Sequence, residues 1–170
     1  SGQTAGRAEA IRQRVEAPEI AAPLMAKTTV AAERSVQLKL SEDSRLTTTG
    51  IDTTTMVSIV GNLIDNAIDA AAAGREPAMV TVRFTTCEQN VTIQVSDTGA
   101  GVPNELSRRI FTDGFTTNSP DGRRHRGIGL ALVHRLVSRA GGTITVNCTD
   151  ATTFTVMLPT HERDPVEVGA

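Results

Sequence analysis

The sequence is poor in aromatic residues and in lysine. Its 170 residues include four Phe, no Trp and no Tyr. Proteins stack single-stranded bases and cage quaternary ammonium groups on aromatic rings, so this composition argues against both functions. Lys27 and Lys39 are the only lysines. A lysine-based phosphate-binding loop and Schiff-base chemistry therefore have almost no candidate residues.

Cysteine, net charge and long apolar stretches are also scarce. The only cysteines, Cys87 and Cys148, form no Cys-x-x-Cys motif, which argues against zinc and favours reduced core thiols of a cytosolic protein. A formal net charge of -2 provides no overall basic field for nucleic acid. No apolar run approaches the ~20 residues of a membrane-spanning helix. We therefore expect a cytoplasmic domain with no nucleic-acid partner.

The distribution of polar residues divides the chain into three parts. A chain of 170 residues suits one domain with an appended helix. Residues 1–17 are polar and rich in Ala and Arg, which indicates a linker or the end of an upstream helix. Residues 18–160 carry the periodicities of a folded domain, and residues 161–170 are expected to be a flexible polar tail.

Hydrophobic periodicity predicts the order helix, strand, helix, two strands, short helix, loop, helix, two strands. The central helix is predicted between an N-cap at Asp52 and a terminating glycine at Gly74. The short helix is predicted over 103–110, and the last helix begins at Gly127. Each strand is apolar at alternate positions, so helices should cover one face of the sheet. We predict an α+β fold, a two-layer α/β sandwich with a mixed sheet, rather than a Rossmann sheet.

A carboxylate is predicted to point into the core at the end of one strand. Asp97 shares the parity of the apolar positions 91, 93 and 95. Gly99 and Gly101 follow it and allow the backbone to approach another group closely. A buried carboxylate is costly without a partner, and a strand end beside such a turn suits recognition of an amino group like that of adenine. The alternative is an aspartate that only caps a turn before glycine.

Two further groups of candidate residues lie on a helix or at the start of one. Asn62 and Asn66 lie one turn apart on the otherwise apolar central helix, with Asp69 further along the same stripe. A carboxamide oxygen suits Mg²⁺ held between protein and phosphates, although paired surface amides are common. Gly127 and Gly129 stand at a loop-to-helix junction, where free N–H groups bind anions. The basic run 123–126 before them suits phosphates or is simply a solvated charged segment.

The order of these features resembles the GHKL (Bergerat-fold) ATP-binding family, most closely the catalytic domain of sensor histidine kinases. Residues 62–67 match its N box, 97–102 its G1 box, 110–117 its F box and 127–133 its G2 box. The resemblance covers roughly residues 20–160. The stretches 59–70 and 126–133 are similar to the citrate/dicarboxylate-sensing subfamily.

The resemblance implies that the chain binds ATP with Mg²⁺. Asn66 would ligate the Mg²⁺ that bridges the phosphates, and Asp97 would accept a hydrogen bond from the adenine amino group. Phe111 and Phe115 would anchor a lid over 102–126. The catalytic positions implied by the motifs are Asn62, Asn66, Arg124 and Arg126. The further cofactor contacts implied are Asp69, Gly99, Gly101, Val102, Thr116, Thr117, Arg126, Gly127, Ile128, Gly129 and Leu130.

Two departures from the family pattern bear on catalysis. A Lys or Arg commonly follows the Thr-Thr of the F box, whereas this chain has Asn118, so Arg123, Arg124 or Arg126 would have to replace it. The histidines, His125, His134 and His161, lie in or after the predicted lid and lack the context of a phosphoacceptor. The chain therefore resembles a catalytic domain cut from a larger protein.

That larger protein would contain an upstream dimerisation and phosphoacceptor domain and act on a response regulator. We expect it to be a homodimer in the bacterial inner membrane, with this domain in the cytoplasm. The alternatives within the fold are gyrase-, MutL- or Hsp90-type hydrolases and anti-sigma-factor serine kinases. Those use a Glu four residues before the Mg²⁺ ligand, where this chain has Asn62, which cannot act as a base. A nucleotide-dependent or nucleotide-free interaction module is a third reading, which Asn118 leaves open and the intact N, G1 and G2 boxes oppose.

Overall fold

The computed structural model describes residues 2–47, 50–99, 124–148 and 151–160. Within them the chain forms four helices and five strands. The helices are α1 (Gly2–Arg14), α2 (Pro18–Glu33), α3 (Thr53–Ala73) and α4 (Arg124–Arg139). The strands are β1 (Gln37–Leu40), β2 (Met79–Thr86), β3 (Asn90–Asp97), β4 (Thr143–Asn147) and β5 (Thr152–Pro159). The short helix predicted over 103–110 lies outside the described residues.

The five strands form one mixed sheet in the order β1-β2-β3-β5-β4. β1 runs parallel to β2, and the other neighbours pair antiparallel. α3 connects the parallel pair, as a parallel crossover requires, whereas a tight turn connects β2 to β3. Helices α2, α3 and α4 pack on the sheet. The predicted two-layer α/β sandwich with a mixed sheet is therefore confirmed.

Alternation along the strands separates a dry face from a half-exposed one. In β3 every second residue from Val91 to Asp97 is buried, and the residues between are only partly covered. The half-exposed face carries short hydroxyl side chains, of which Ser96 and Thr153 hydrogen-bond across β3 and β5 at 2.8 Å. The core consequently forms on the helix-covered side alone.

The central helix begins and ends as the sequence predicts. Asp52 is the N-cap of α3, and its carboxylate accepts a hydrogen bond from the Thr55 N–H at 3.0 Å. Gly74 is the C-cap residue. Ion pairs from Lys27 to Asp65 and from Arg34 to Asp69 join α2 to α3. α3 therefore has α2 on one flank, while α4 contacts it on another.

The end of α1 packs into the sandwich. Ile11 and Val15 are buried in the same core as α3. The Leu46 N–H donates to the Arg14 carbonyl at 2.8 Å, and the Glu16 N–H donates to the Leu46 carbonyl at 3.0 Å. The last turn of α1 is thus joined to the loop after β1.

That loop also contains an aspartate with a perturbed pKa. The Ser41 hydroxyl donates to Asp43 at 2.8 Å, and the Arg83 guanidinium pairs with it at 2.6 Å. The hydroxyl first, and then the guanidinium charge, lower the pKa of Asp43. A lowered pKa stabilises the fold above the unfolded pKa and loses that effect as the pH falls. Because Asp43 is fully exposed, solvent screening keeps the contribution small.

The two cysteines differ in exposure. Cys87 is exposed in the turn between β2 and β3, so its expected core position is wrong; a polar turn leaves no apolar layer to cover it. Cys148 is partly covered.

Among the helices that the structure describes, none is both long and apolar enough to cross a bilayer.

The cap of α3 gives a test of the fold. We expect Asp52→Ala to lower the free energy of unfolding by about 1 kcal/mol, because the Thr55 N–H loses its acceptor. Urea denaturation measures the change. Asp52→Asn retains a capping oxygen and serves as the control, with an expected loss well below that of the alanine variant. Equal stability of wild type and Asp52→Ala would contradict the capping role.

Candidate functional site

Asp97 is the most deeply buried charged residue of the site. It ends β3 with 1% of its surface exposed, which confirms the inward direction predicted from parity. Its Oδ1 accepts a hydrogen bond from the Gly99 N–H at 2.8 Å. This bond is the turn cap that the alternative reading expected. A turn cap does not require burial, however, so the cost of desolvating the carboxylate points to an additional binding role.

Gly99 brings the turn after β3 against the last part of α3. A Cβ atom at this position would lie 2.7 Å from the Ala70 carbonyl oxygen and 2.8 Å from Asp97 Oδ1. Both distances are too short for a real side chain, so only glycine fits. The close approach predicted here is therefore present, and its partner is the backbone of α3.

The N box and the G2 box meet where α4 crosses α3. A Cβ atom at Gly129 would lie 2.9 Å from Asn62 Oδ1, so the two helices touch at this pair. Asn62 is half-buried, and its Nδ2 donates to the Ser58 carbonyl at 2.7 Å. Asn66 lies one turn further along the same side of α3 and is only 8% exposed. A solvated surface amide is therefore the wrong description of Asn66.

Two predicted cofactor contacts have structural roles in the described part of the chain. The carboxylate of Asp69 pairs with the guanidinium of Arg34 on α2, across the exposed side of α3. Leu130 is 6% exposed and packs in the hydrophobic core. Both residues were predicted as cofactor contacts because they lie in or next to a sequence motif. The rotation of each helix about its own axis determines which groups the side chain contacts.

The start of α4 differs from the sequence prediction. The helix begins at Arg124, three residues before Gly127, so Gly127 lies in its first turn. For Arg124, Arg126, Gly127 and Ile128 the structure describes the helical backbone. The remaining predicted positions lie outside the described residues: Gly101, Val102, Phe111, Phe115, Thr116 and Thr117.

Sequence reasoning missed one residue of the site, Thr152. It is 3% exposed and is the cross-strand partner of Asp97 in β5. Within the described residues, its hydroxyl is buried without a hydrogen-bond partner. The signal was the same parity that identified Asp97, because Thr152 shares the inward parity of Phe154 and Val156. A hydroxyl and a carboxylate thus lie side by side at the end of the sheet.

The donors and acceptors at this place suit a nucleotide better than a metal cluster. No group of three or more His, Cys, Asp or Glu residues lies together in the described ranges. Asp97 and Thr152 offer a carboxylate and a hydroxyl to a base, and Asn66 offers a carboxamide nearby on α3. The fold and the site together are those of an ATP-binding domain of the α/β-sandwich type.

Comparison with known proteins agrees with this class. Residues 51–162 match the family described as histidine kinase-, DNA gyrase B- and HSP90-like ATPase, and the chain belongs to that family. It is 33% identical to the sensor histidine kinase DpiB of Escherichia coli over 156 residues, which are 89% of this chain and 28% of that protein. It is 35% identical to a probable C4-dicarboxylate sensor kinase of Halalkalibacterium halodurans over 155 residues, which are 88% of this chain and 28% of that protein.

The crystal structure of full-length ShkA in complex with AMPPNP shares the fold. Its TM-score is 0.69 at 23% identity, covering 93% of this chain and 31% of that one. The resemblance to the catalytic domain of sensor histidine kinases, and to relatives named for citrate and dicarboxylates, is therefore confirmed. The chain spans 28% of the length of DpiB and 28% of the length of the probable C4-dicarboxylate sensor kinase.

The buried carboxylate gives a test of base recognition. We expect Asp97→Asn to weaken ATP binding by about one to two decades, because a charged hydrogen bond contributes about 1.5–3 kcal/mol. Wild type should also prefer ADP to GDP, since guanine presents a carbonyl where adenine has its amino group. Calorimetric titration measures both. The exposed Asp43→Asn is the control and should bind as wild type; unchanged ATP affinity in Asp97→Asn would remove the assignment.

Proposed function

We propose that this chain donates the ATP γ-phosphoryl group to a phosphoacceptor histidine on a dimerisation domain outside it. The observation that carries the proposal is Asp97, a buried carboxylate held at the strand end beside α3. A buried carboxylate can accept a hydrogen bond from the adenine amino group. Membership of the ATPase family supports the use of ATP as the phosphoryl donor. The chain is thus the nucleotide-binding half of a phosphotransfer reaction.

Mg²⁺ is proposed to bind at Asn66. The buried carboxamide lies on the side of α3 where Asn62 meets α4, and amide oxygen is a ligand that Mg²⁺ accepts. Mg²⁺ keeps several waters and binds substrate phosphates, so one protein ligand is enough to orient it. This fits a site in which the described residues offer no carboxylate cluster. When bound, the ion would neutralise charge on the phosphates.

Asn62 supports transfer to histidine over hydrolysis or transfer to serine. Hydrolases and serine kinases of this fold need a carboxylate at this position to activate water or a hydroxyl. Asn62 cannot accept a proton in that way, and its amide already donates to the Ser58 carbonyl. A histidine acceptor is itself a nucleophile and needs no such base on this domain. Asn62 is therefore proposed to line the site without acting as a base.

The remaining phosphate contacts are proposed from the motifs. Arg124 and Arg126 lie in the first turn of α4, where the N–H groups and the helix dipole favour an anion. We assign the phosphates to this turn and to Gly127 and Ile128. We propose that residues 102–126 form a lid anchored by Phe111 and Phe115, with Gly101 as a hinge, and that Val102, Thr116 and Thr117 contact the nucleotide.

The partners follow from the names of the relatives and are proposals for this chain. A sensor kinase acts with an acceptor domain of its own chain and with a response regulator. We propose both for this protein, in a homodimer whose sensing part is anchored in the membrane. The relatives named for citrate and C4-dicarboxylates suggest a small di- or tricarboxylate as the signal.

The metal assignment predicts a selective effect of Asn66. Asn66→Ala should weaken Mg²⁺·ATP binding by about tenfold and change metal-free ADP binding much less, because only the metal complex uses the carboxamide. Titrations with Mg²⁺ and with EDTA separate the two. The control is Asp65→Ala, an exposed neighbour on α3. An identical loss with and without Mg²⁺ would make Asn66 a structural residue.

The acceptor assignment predicts what the chain does alone and with a partner. Incubated with γ-labelled ATP and Mg²⁺, it should remain essentially unlabelled and hydrolyse ATP very slowly, because transfer needs a positioned acceptor. Addition of the acceptor domain of the same protein as a separate chain should restore acid-labile labelling on that partner. Acid-stable label on this chain would indicate a serine kinase. Rapid turnover would indicate a gyrase-like ATPase, and either result would overturn the proposal.

A further inference from the structure

The connection from α3 to β2, residues 74–79, touches the turn after β3 at Gly74. A Cβ atom at this position would lie 2.9 Å from Gly99 Cα and 3.1 Å from the Thr98 carbonyl oxygen. Both atoms belong to the backbone, so no flexible side chain can move aside. The φ of Gly74 is -92°, which other residues adopt freely. Space, and not conformation, therefore requires glycine at this position.

The same connection holds the turn from a second side. The Thr98 hydroxyl accepts a hydrogen bond from the Met79 N–H at 3.0 Å and donates to the Pro77 carbonyl at 3.3 Å. The Thr98 N–H donates to the Met79 carbonyl at 3.1 Å. Thr98 is exposed, so these bonds do not serve to bury it. They fix the turn to the beginning of β2.

The turn after β3 orients the buried carboxylate of Asp97. Gly99 donates its N–H to Asp97 Oδ1 at 2.8 Å, and it lies against the Ala70 carbonyl of α3. A shift of Gly99 consequently moves the group that aligns Asp97. We propose that residues 74–79, together with Thr98 of the turn that they hold, position Asp97 for base recognition, and that Gly74 and Thr98 are the positioning residues. This inference rests on the proposed nucleotide-binding function.

The first test compares two glycine substitutions that are chemically identical. Gly74→Ala forces the backbone of 98–99 to shift, so ADP affinity should fall by about tenfold or more and the preference for ADP over GDP should narrow. Gly61→Ala is the matched control, because a Cβ atom at Gly61 has nothing within 4 Å. Its affinity and its base preference should equal those of wild type.

The second test uses Thr98. Because its side chain is exposed, we expect the Thr98 variants to fold. Thr98→Val removes both hydroxyl hydrogen bonds and should narrow the ADP-to-GDP preference, whereas Thr98→Ser keeps the hydroxyl and should restore it. A merely structural role would lower the melting temperature without changing this ratio. Wild-type affinity and wild-type preference in both Gly74→Ala and Thr98→Val would overturn the proposal. If Gly74→Ala does not fold, the Val and Ser pair decides alone.

A third measurement separates this inference from the proposed function. Amide exchange of Gly99, followed by NMR in nucleotide-free protein, reports the hydrogen bond to Asp97 directly. It should be faster in Gly74→Ala and Thr98→Val than in wild type, Gly61→Ala and Thr98→Ser. Equal exchange in all five proteins would overturn the positioning role. Failure of wild type to bind any adenine nucleotide would instead overturn the proposed function, while the exchange rates still decide the positioning role.

Discussion

The burial of one carboxylate at a strand end constrains much of the surrounding structure. Asp97 loses its water on folding, and that loss is costly unless nearby donors replace it. The Gly99 N–H supplies one donor, and Thr152 is the residue paired with Asp97 on the neighbouring strand β5. Glycine at 99 and at 74 allows the backbone to close around this point. The site is therefore a consequence of how closely α3, β3 and β5 approach one another.

α3 combines core formation and ligand chemistry because its sides face different neighbours. Its apolar side fills the core above the sheet, and its exposed edge pairs with α2 through Asp65 and Asp69. Its amide-bearing side meets α4 where Asn62 lies against Gly129. A helix with neighbours on several sides holds Asn66 at a defined depth, as the proposed Mg²⁺ ligand would require.

Two sets of contacts lie at opposite ends of β2. One attaches α1 to the sheet, and the other belongs to the candidate site at Asp97. The loop that holds Val15 hydrogen-bonds to Phe84, in the second half of β2, through the Arg45 N–H. Asp97 instead pairs with Val80, near the beginning of the same strand. The length of the strand therefore separates the attachment of α1 from the nucleotide chemistry.

Local periodicity was enough to predict the sandwich, the capped ends of α3 at Asp52 and Gly74, and the inward direction of Asp97. Alternation of two and spacing of 3.6 residues are properties of neighbours along the chain, so the sequence by itself determined them. Only the tertiary structure decided that Asp69 pairs with Arg34, that Leu130 packs in the core and that Gly74 lies against Gly99. These contacts join residues far apart in sequence. They depend on the rotation and approach of whole elements, which no local pattern encodes.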